Sequence, residues 1–237
     1  MTDHQTTYAM FRRTCVATIT TVLRDHGLHN MWIRGSVPLR PGQPRTAGPA
    51  FTIRFVPMRE DYSTPDAIVG PRSSRAAIER MPSGCIVVAD AMGFPDCGVF
   101  GDIMCARMQY RGVAGLVTDG AVRDRTGILN LHWPVWAAGI SAPPSNAGLY
   151  CADEQVPVAC GGVAIMPGDV VVADDDGAVV VPFALAADVA RTACEKELFE
   201  DWALAEIQSG AAILGTYPPN DETMTRFKAA AVAPDLI

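Results

Sequence analysis

The sequence predicts an α/β protein. Short β-branched runs bounded by Pro/Gly turns alternate with stretches of three-to-four apolar spacing, and a long helical pattern follows near the end of the chain. Residues 7 to 25 place Phe11, Cys15, Ile19, Val22 and Leu23 on one helical face, and Gly27 then serves as a stop, so one amphipathic helix is expected. "PLRPGQPRTAG" reads as loop, and "AGPAFTIRFVP" alternates as a strand through Phe51, Ile53 and Phe55. Ser73 to Arg80 reads as a short helix.

"MPSGCIVVADAMG" (81 to 93) is echoed by "MPGDVVVADDDG" (166 to 177). Each has a Pro/Gly turn, a β-branched run, then Ala-Asp and glycine, which suggests a sheet built from related halves. Between them "GDIMCARMQYRG" has Ile103, Ala106, Met108 and Tyr110 in a partly helical pattern with Arg107 and Arg111 exposed. "VAGLVTD" and "PVWAAGI" then read as strands. Val170 to Val172 and Val179 to Val181 flank Asp176-Gly177, a hairpin turn signal. A long helix is expected from Pro182 to Ser209, carrying Val189, Leu198, Trp202 and Ile207 and stopped by Gly210. The tail from Thr216 has little pattern and reads as an arm ordered against a neighbour.

At 237 residues, with 49% hydrophobic and 19% charged residues, the chain can bury a sizeable core, and no linker demands two domains. A net charge of -7 argues against nucleic-acid binding, so an anionic substrate would need a local cationic device. The N-terminal stretch has no basic segment leading into an apolar run, and nowhere do about 18 apolar residues stand together, so a cytoplasmic location away from membranes is expected. The seven cysteines form no CxxC pair and are expected to be free thiols. No serine elbow, Walker loop, dinucleotide fingerprint or HExxH occurs. Asp174-Asp175-Asp176-Gly177 lacks the ligand spacing of an EF-hand and reads as a hairpin turn, and His26 and His29 read as a surface helix end.

One stretch carries chemistry. "TDGAVRD" (118 to 124) leaves an apolar strand through glycine and ends on Arg123 beside Asp124, at the sheet exit where α/β proteins bind ligands. The pair can be a solvated ion pair or a helix cap, or it can be functional. Gly101 opens a helix whose first N–H groups, at Asp102, Ile103 and Met104, can receive a carboxylate. A guanidinium, a carboxylate able to hold a divalent cation and an anion-binding helix start make a coherent site for a 2-oxo acid.

"GDIMCARMQYRGVAGLVTDGAVRD", with "AGPAFTI" upstream and "CGGVAIMPGDVVVADDDGAVVVP" downstream, resembles the RraA-like family over roughly residues 15 to 215. That family contains class II pyruvate aldolases acting on 4-hydroxy-4-methyl-2-oxoglutarate and 4-carboxy-4-hydroxy-2-oxoadipate, and also the regulator of ribonuclease activity. The resemblance implies a compact α/β sandwich with a long C-terminal helix. It also implies one domain over 1–237, whose C-terminal helix and arm (about 182–237) contact a neighbouring subunit in a trimer or hexamer.

The resemblance further implies a lyase that cleaves 4-hydroxy-2-oxo acids to pyruvate with Mg²⁺ or Mn²⁺ and decarboxylates oxaloacetate as a side reaction. The family's substrate arginine falls on Arg123, its metal-binding aspartate on Asp124, and its pyruvate-carboxylate amides on Gly101, Asp102, Ile103 and Met104. The acid that holds the cation's water falls on Asp102, and a glutamate lent by a neighbouring subunit falls on Glu200, with Glu197 one turn away as the alternative. The chain departs from the family at Thr21, where an aspartate is common, and in the loop "FVPMREDYSTPD". The competing expectation is a non-catalytic binding protein like the ribonuclease regulator, or a member acting on another 2-oxo or sugar acid.

Overall fold

A computed structural model describes residues 4–231. The chain opens with α1 (His4–Arg13) and α2 (Val16–Asp25), the short strands β1 (Trp32–Ile33) and β2 (Val37–Pro38), and the long strand β3 (Thr46–Pro57). Helices α3 (Pro65–Val69) and α4 (Ser74–Arg80), the latter capped by Ser73 Oγ, lead to β4 (Ile86–Asp90) and α5 (Asp102–Tyr110). Then come β5 (Gly115–Thr118), β6 (Ala121–Val122), α6 (Arg125–Asn130), β7 (Val135–Ala137), β8 (Gly139–Ile140) and β9 (Leu149–Glu154). The hairpin β10 (Val170–Asp174) and β11 (Gly177–Val181) precedes α7 (Ala186–Gln208), α8 (Ile213–Thr216) and α9 (Asp221–Ala231).

The main sheet runs β1-β11-β10-β3-β4-β5-β7-β2, with β9 also paired to β3. Its middle, β3-β4-β5-β7, is parallel, and the remaining pairings are antiparallel. On β3, Ala47, Phe51, Ile53 and Phe55 face the helices. Ala47 and the β10–β11 valines pack under α1, α2 and α7, while the phenylalanines pack with Ala77, Ile78, Cys105 and Met108 of α4 and α5. Ala50 faces the other way, into a second core with Ile86, Val88, Trp136 and Val180, joined by Val158, Val163 and Ile165. Both faces are therefore buried, which is why β4, β10 and β11 read as unbroken apolar runs. The sheet also rolls on itself: Trp136 Nε1 of β7 donates to Asp174 O at the end of β10, 2.7 Å away, although three strands lie between them in the sheet order.

The structure corrects several expectations. Residues 7 to 25 form two helices, because the chain breaks at Thr14-Cys15, where Cys15 N donates to Glu197 Oε1 at 3.1 Å. In α5 the inward residues are Cys105 and Met108, while Ile103 and Tyr110 are each 82% exposed. In α7 the buried face is Val189, Ala190, Ala193, Phe199 and Ala203, and Leu198 is exposed. The hairpin turn is Asp175-Asp176, since Asp174 pairs with Gly177. The tail carries α9, whose Phe227 packs edge-on against Phe199 at 5.3 Å between ring centroids; residues beyond 231 lie outside those described.

The echoed segments become β4 and β10, and each ends in the same local device. Asp90 Oδ1 accepts from Met92 N at 3.0 Å, and Asp174 Oδ1 accepts from Asp176 N at 2.9 Å, a self-closing aspartate turn. The likeness stops there, because β4 is parallel to both neighbours and β10 antiparallel to both. The acidic run is occupied by backbone donors as well, with Val16 N on Asp174 Oδ2 and Gly42 N on Asp175. All seven cysteines are free, and among the described residues no helix is long and apolar enough to cross a membrane.

Two expected outcomes follow from the packing. A Cβ on Gly48 of β3 would lie 2.3 Å from the Gly84 carbonyl oxygen, a backbone atom that cannot swing aside. Gly48→Ala should lower unfolding stability by about 2 kcal/mol or more, read as a shift in the urea midpoint. Cys105 is fully buried, and burial first, then the negative charges of Asp102 and Asp124, push its thiol up to about 12. Iodoacetamide at pH 8 should leave it unmodified in the folded protein and modify it once denaturant is added, as mass spectrometry of the digested chain will show.

Candidate active site

The chain leaves β4 and β5 at their carboxyl ends, and two of the exiting segments are pressed together. Residues 98 to 100 run beside residues 121 to 123: Val99 N donates to Ala121 O at 2.9 Å and Arg123 N to Phe100 O at 3.0 Å. Such an approach requires glycine at Gly98, where a Cβ would sit 2.7 Å from Arg123 N and Arg123 Cβ. β6 pairs in parallel with β8 and holds the segment from the other side. Arg123 is thereby fixed at its backbone and presents its side chain to a cleft of 370 Å³.

Asp124 is the unusual residue. It stands at the N-cap of α6 in the left-handed backbone region, φ 55° and ψ 44°, which few residues other than glycine tolerate. An aspartate there ordinarily caps the helix through its side chain, and this one makes no capping hydrogen bond. Its Oδ2 instead accepts from Arg123 Nε at 3.1 Å, with side chains 39% and 35% exposed for Asp124 and Arg123, and no other hydrogen bond engages the carboxylate among the described residues. The same oxygen lies 2.4 Å from where a Cβ on Gly101 would stand. The helix-cap alternative for this pair therefore fails in its side chain, and the two groups meet over the mouth of α5.

Gly101 begins α5 in extended backbone and offers no side-chain cap. Asp102 Oδ1 accepts from Ile103 N at 2.7 Å, so of the three amides expected to be free, those of Asp102 and Met104 keep no acceptor among the described residues, while that of Ile103 is taken. Asp102 Oδ2 rests against α6, where a Cβ on Gly127 would be 2.2 Å from it. Gly98 and Gly127 were not among the residues expected at the site, and their only trace in the sequence is that they are glycines beside the motif. The cleft is lined by Gly101, Asp102, Ile103, Met104, Arg123 and Asp124, with Phe55 and Leu149 also in its lining.

Glu197 and Glu200 are not in this cleft. Glu200 Oε2 accepts from Thr18 Oγ1 at 2.8 Å, and its Oε1 accepts from the Tyr217 hydroxyl at 2.8 Å and meets Lys196 Nζ at 3.1 Å. Burial pushes its carboxyl up, but these three donors outweigh it and hold it below the usual carboxylate range. Glu197 takes the Cys15 amide through Oε1 and leaves Oε2 buried without a partner. Thr21, where the family commonly has an aspartate, returns its hydroxyl to Ala17 O.

Asp124 and Asp102 are the carboxylates of the cleft that could hold a hard divalent cation. Asp124 has an uncommitted carboxylate oxygen, and Asp102 lines the same cavity. Among the described residues no group of three or more His, Cys, Asp or Glu side chains stands where it could hold a metal ion, so an ion here would rest on few protein ligands. An ion held here would keep most of its positions for water and substrate oxygens, as magnesium does readily.

A family model described as RraA-like, aldolase/RraA, matches residues 16–180, a span that includes the whole cleft and stops short of α7. Protein DlpA of Legionella pneumophila is 32% identical over 176 residues, 74% of this chain, which spans only 28% of that protein. A putative 4-hydroxy-4-methyl-2-oxoglutarate aldolase of Halalkalibacterium halodurans is 32% identical over 160 residues, covering 62% of this chain and 73% of its own length. The crystal structure of Streptomyces coelicolor RraAS2, described as an unusual member of the RNase ES inhibitor RraA family, matches with a TM-score of 0.76 at 33% identity, over 85% of this chain and 96% of that one. With the family model matched across the site and the same fold found in RraAS2, the chain belongs to the RraA-like family.

Proposed function

We propose that the protein is a divalent-metal-dependent carbon–carbon lyase that cleaves 4-hydroxy-2-oxo acids to release pyruvate and also decarboxylates oxaloacetate. The observation that carries this reading is Asp124, held in left-handed backbone at a helix start with a side chain that declines the cap and turns to the cleft beside Arg123. Such strain is retained where the surrounding structure imposes it, and it gathers at sites that use it. The name of the H. halodurans relative supports the same substrate class.

In this reading the amides of Asp102 and Met104, at the positive end of α5, receive the substrate's 2-oxo-acid carboxylate. Arg123 commits only Nε to Asp124, so its two Nη groups remain to meet the keto oxygen, where negative charge grows as the bond breaks. When bound to Asp124, the divalent cation would supply Lewis-acid stabilisation of that same charge. Asp102 spends Oδ1 on Ile103 and keeps Oδ2 for the water through which the C4 hydroxyl proton leaves. Decarboxylation of oxaloacetate leaves the same enolate, so the same groups serve both reactions. A glutamate from a second subunit's α7, Glu200 or its neighbour Glu197, completes the site in a trimer or hexamer.

A second reading, a non-catalytic binding protein, has the similarity to RraAS2 in its favour. Pyruvate release from oxaloacetate, with and without EDTA, separates the two: EDTA-sensitive release is expected, and none at any metal concentration would favour the binding protein.

Asp124→Ala should abolish metal-dependent turnover, since no other carboxylate in "GAVRDRTG" can take its place. Arg123→Lys should keep metal affinity, measured by titration calorimetry, while kcat falls by about 10²- to 10³-fold, because lysine keeps the charge and loses the planar fork. Cys105→Ala should retain turnover. Light scattering should show three or six chains per particle, and a fully active monomer would overturn the shared site.

A further inference from the structure

Donors from α2, α7 and the end of α8 converge on Glu200, a carboxylate that lies outside the cleft of its own chain. Thr18 Oγ1 donates to its Oε2 at 2.8 Å, while the Tyr217 hydroxyl at 2.8 Å and Lys196 Nζ at 3.1 Å both fall on Oε1. Two donors fill the acceptor positions of Oε1, and one position on Oε2 stays open. A turn fixes the tyrosine, since Tyr217 N donates to Ile213 O at 2.8 Å and Asn220 N to Gly215 O at 2.9 Å. Lys196 Nζ also stands 5.9 Å from the centroid of its ring. The bond to Glu200, and then burial, push the Tyr217 hydroxyl above its ordinary pKa, so it stays a donor.

Thr18, Glu200 and Tyr217 line one groove of 390 Å³ with Cys15, Thr21 and Leu204. Its rim is apolar and open, for Leu204, Ile213, Leu214 and Tyr217 are all exposed. The Arg123 cleft has an apolar rim too, since Ile103 lines it and stands exposed with Tyr110 on the same helix. Charge favours a meeting of the two. Arg107 and Arg111, at the end of α5, share the single anion Glu79, whereas Glu195 and Asp201 are exposed on α7 and have no ion pair among the described residues. Two unlike patches of one chain that dock head to tail can close a ring of copies. We propose that this groove covers the Arg123 cleft of a second copy, and that Tyr217 is a positioning residue that fixes Glu200 with the open position of Oε2 toward that cleft. The inference rests on the reading of the cleft as a lyase site shared between subunits, and adds to it the segment that carries Tyr217.

The test reads placement and turnover separately. The photo-reactive residue p-benzoylphenylalanine is placed at position 217 and, in a second variant, at position 214. Isotope-labelled and unlabelled chains are co-assembled and irradiated, and cross-linked peptides are identified by mass spectrometry. Cross-links from one chain to residues 98–127 of another are expected from at least one position. In oxaloacetate kinetics with Mg²⁺, Tyr217→Phe should lower kcat about tenfold at unchanged KM, the scale of one hydrogen bond to a charged group. In a Glu200→Gln background the same substitution should change kcat by less than about twofold, because the hydroxyl acts only through that carboxylate. Wild-type kcat in Tyr217→Phe, or an equal loss in both backgrounds, would overturn the proposal, as would cross-links from both positions that miss residues 98–127 of another chain. The two failures are distinct: those cross-links without pyruvate release refute the lyase alone, and release without them refutes the shared groove alone.

Discussion

The site depends on one steric constraint, the close approach of the segment leaving β4 to the segment leaving β5. Three positions without side chains make it possible. Gly98 lets Arg123 close in, Gly101 leaves room for the Asp124 carboxylate, and Gly127 lets α6 rest against Asp102. Each side chain that would carry charge chemistry thus sits over a place where a methyl group would have to displace it. The result is a guanidinium, two carboxylates and an open helix start in one cleft without any need for a long ordered loop, and the sheet's hydrogen bonds carry the positioning.

The rest of the fold serves to keep that approach rigid. Asp119, just after β5, accepts three backbone amides, from Ala91, Gly93 and Gly161, and so ties the exits of β4 and β5 to the segment that roofs the inner core. Burial is the main cause pushing its carboxyl above the usual range, with the charge of Asp90 adding to it and the three amides opposing. A group whose folded-state pKa is raised contributes stability that is present below its unfolded value and is lost as pH rises through the folded value. At the other end Asp174 performs a comparable task, taking Val16 N and Asp176 N through its carboxylate and Trp136 through its carbonyl.

How much of this was legible follows from how far each cause lies along the chain. Arg123, Asp124 and the start of α5 were readable because residues 101 to 124 form one continuous run of helix, strand and exit. The break between α1 and α2 was not, because the group that takes the Cys15 amide is Glu197, 182 residues away. The face of α5 was misjudged because its apolar residues do not share one stripe: Ile103 and Tyr110 stand on the exposed side of a helix whose buried side needs only Cys105 and Met108. α9 was missed for a similar reason, since Phe227 is an isolated aromatic until Phe199 and Trp202 of α7 stand beside it. The left-handed backbone of Asp124 is imposed by the tertiary contacts around it, and no local spacing announces it.

The charged groups of the cleft come from a single short run, whereas other parts of its lining come from Ser63 to Arg75 and from Asn146 to Tyr150, in loops, short helices and the start of β9. Substitutions in one set touch few neighbours of the other, and changes at such separated positions tend to act independently. That lining can therefore drift while Arg123, Asp124 and the start of α5 stay as they are, and loops are where drift is best tolerated. A lineage built on this scaffold would be able to change what the outer part of the cleft admits by altering a handful of residues there, and would leave Arg123, Asp124 and the start of α5 untouched.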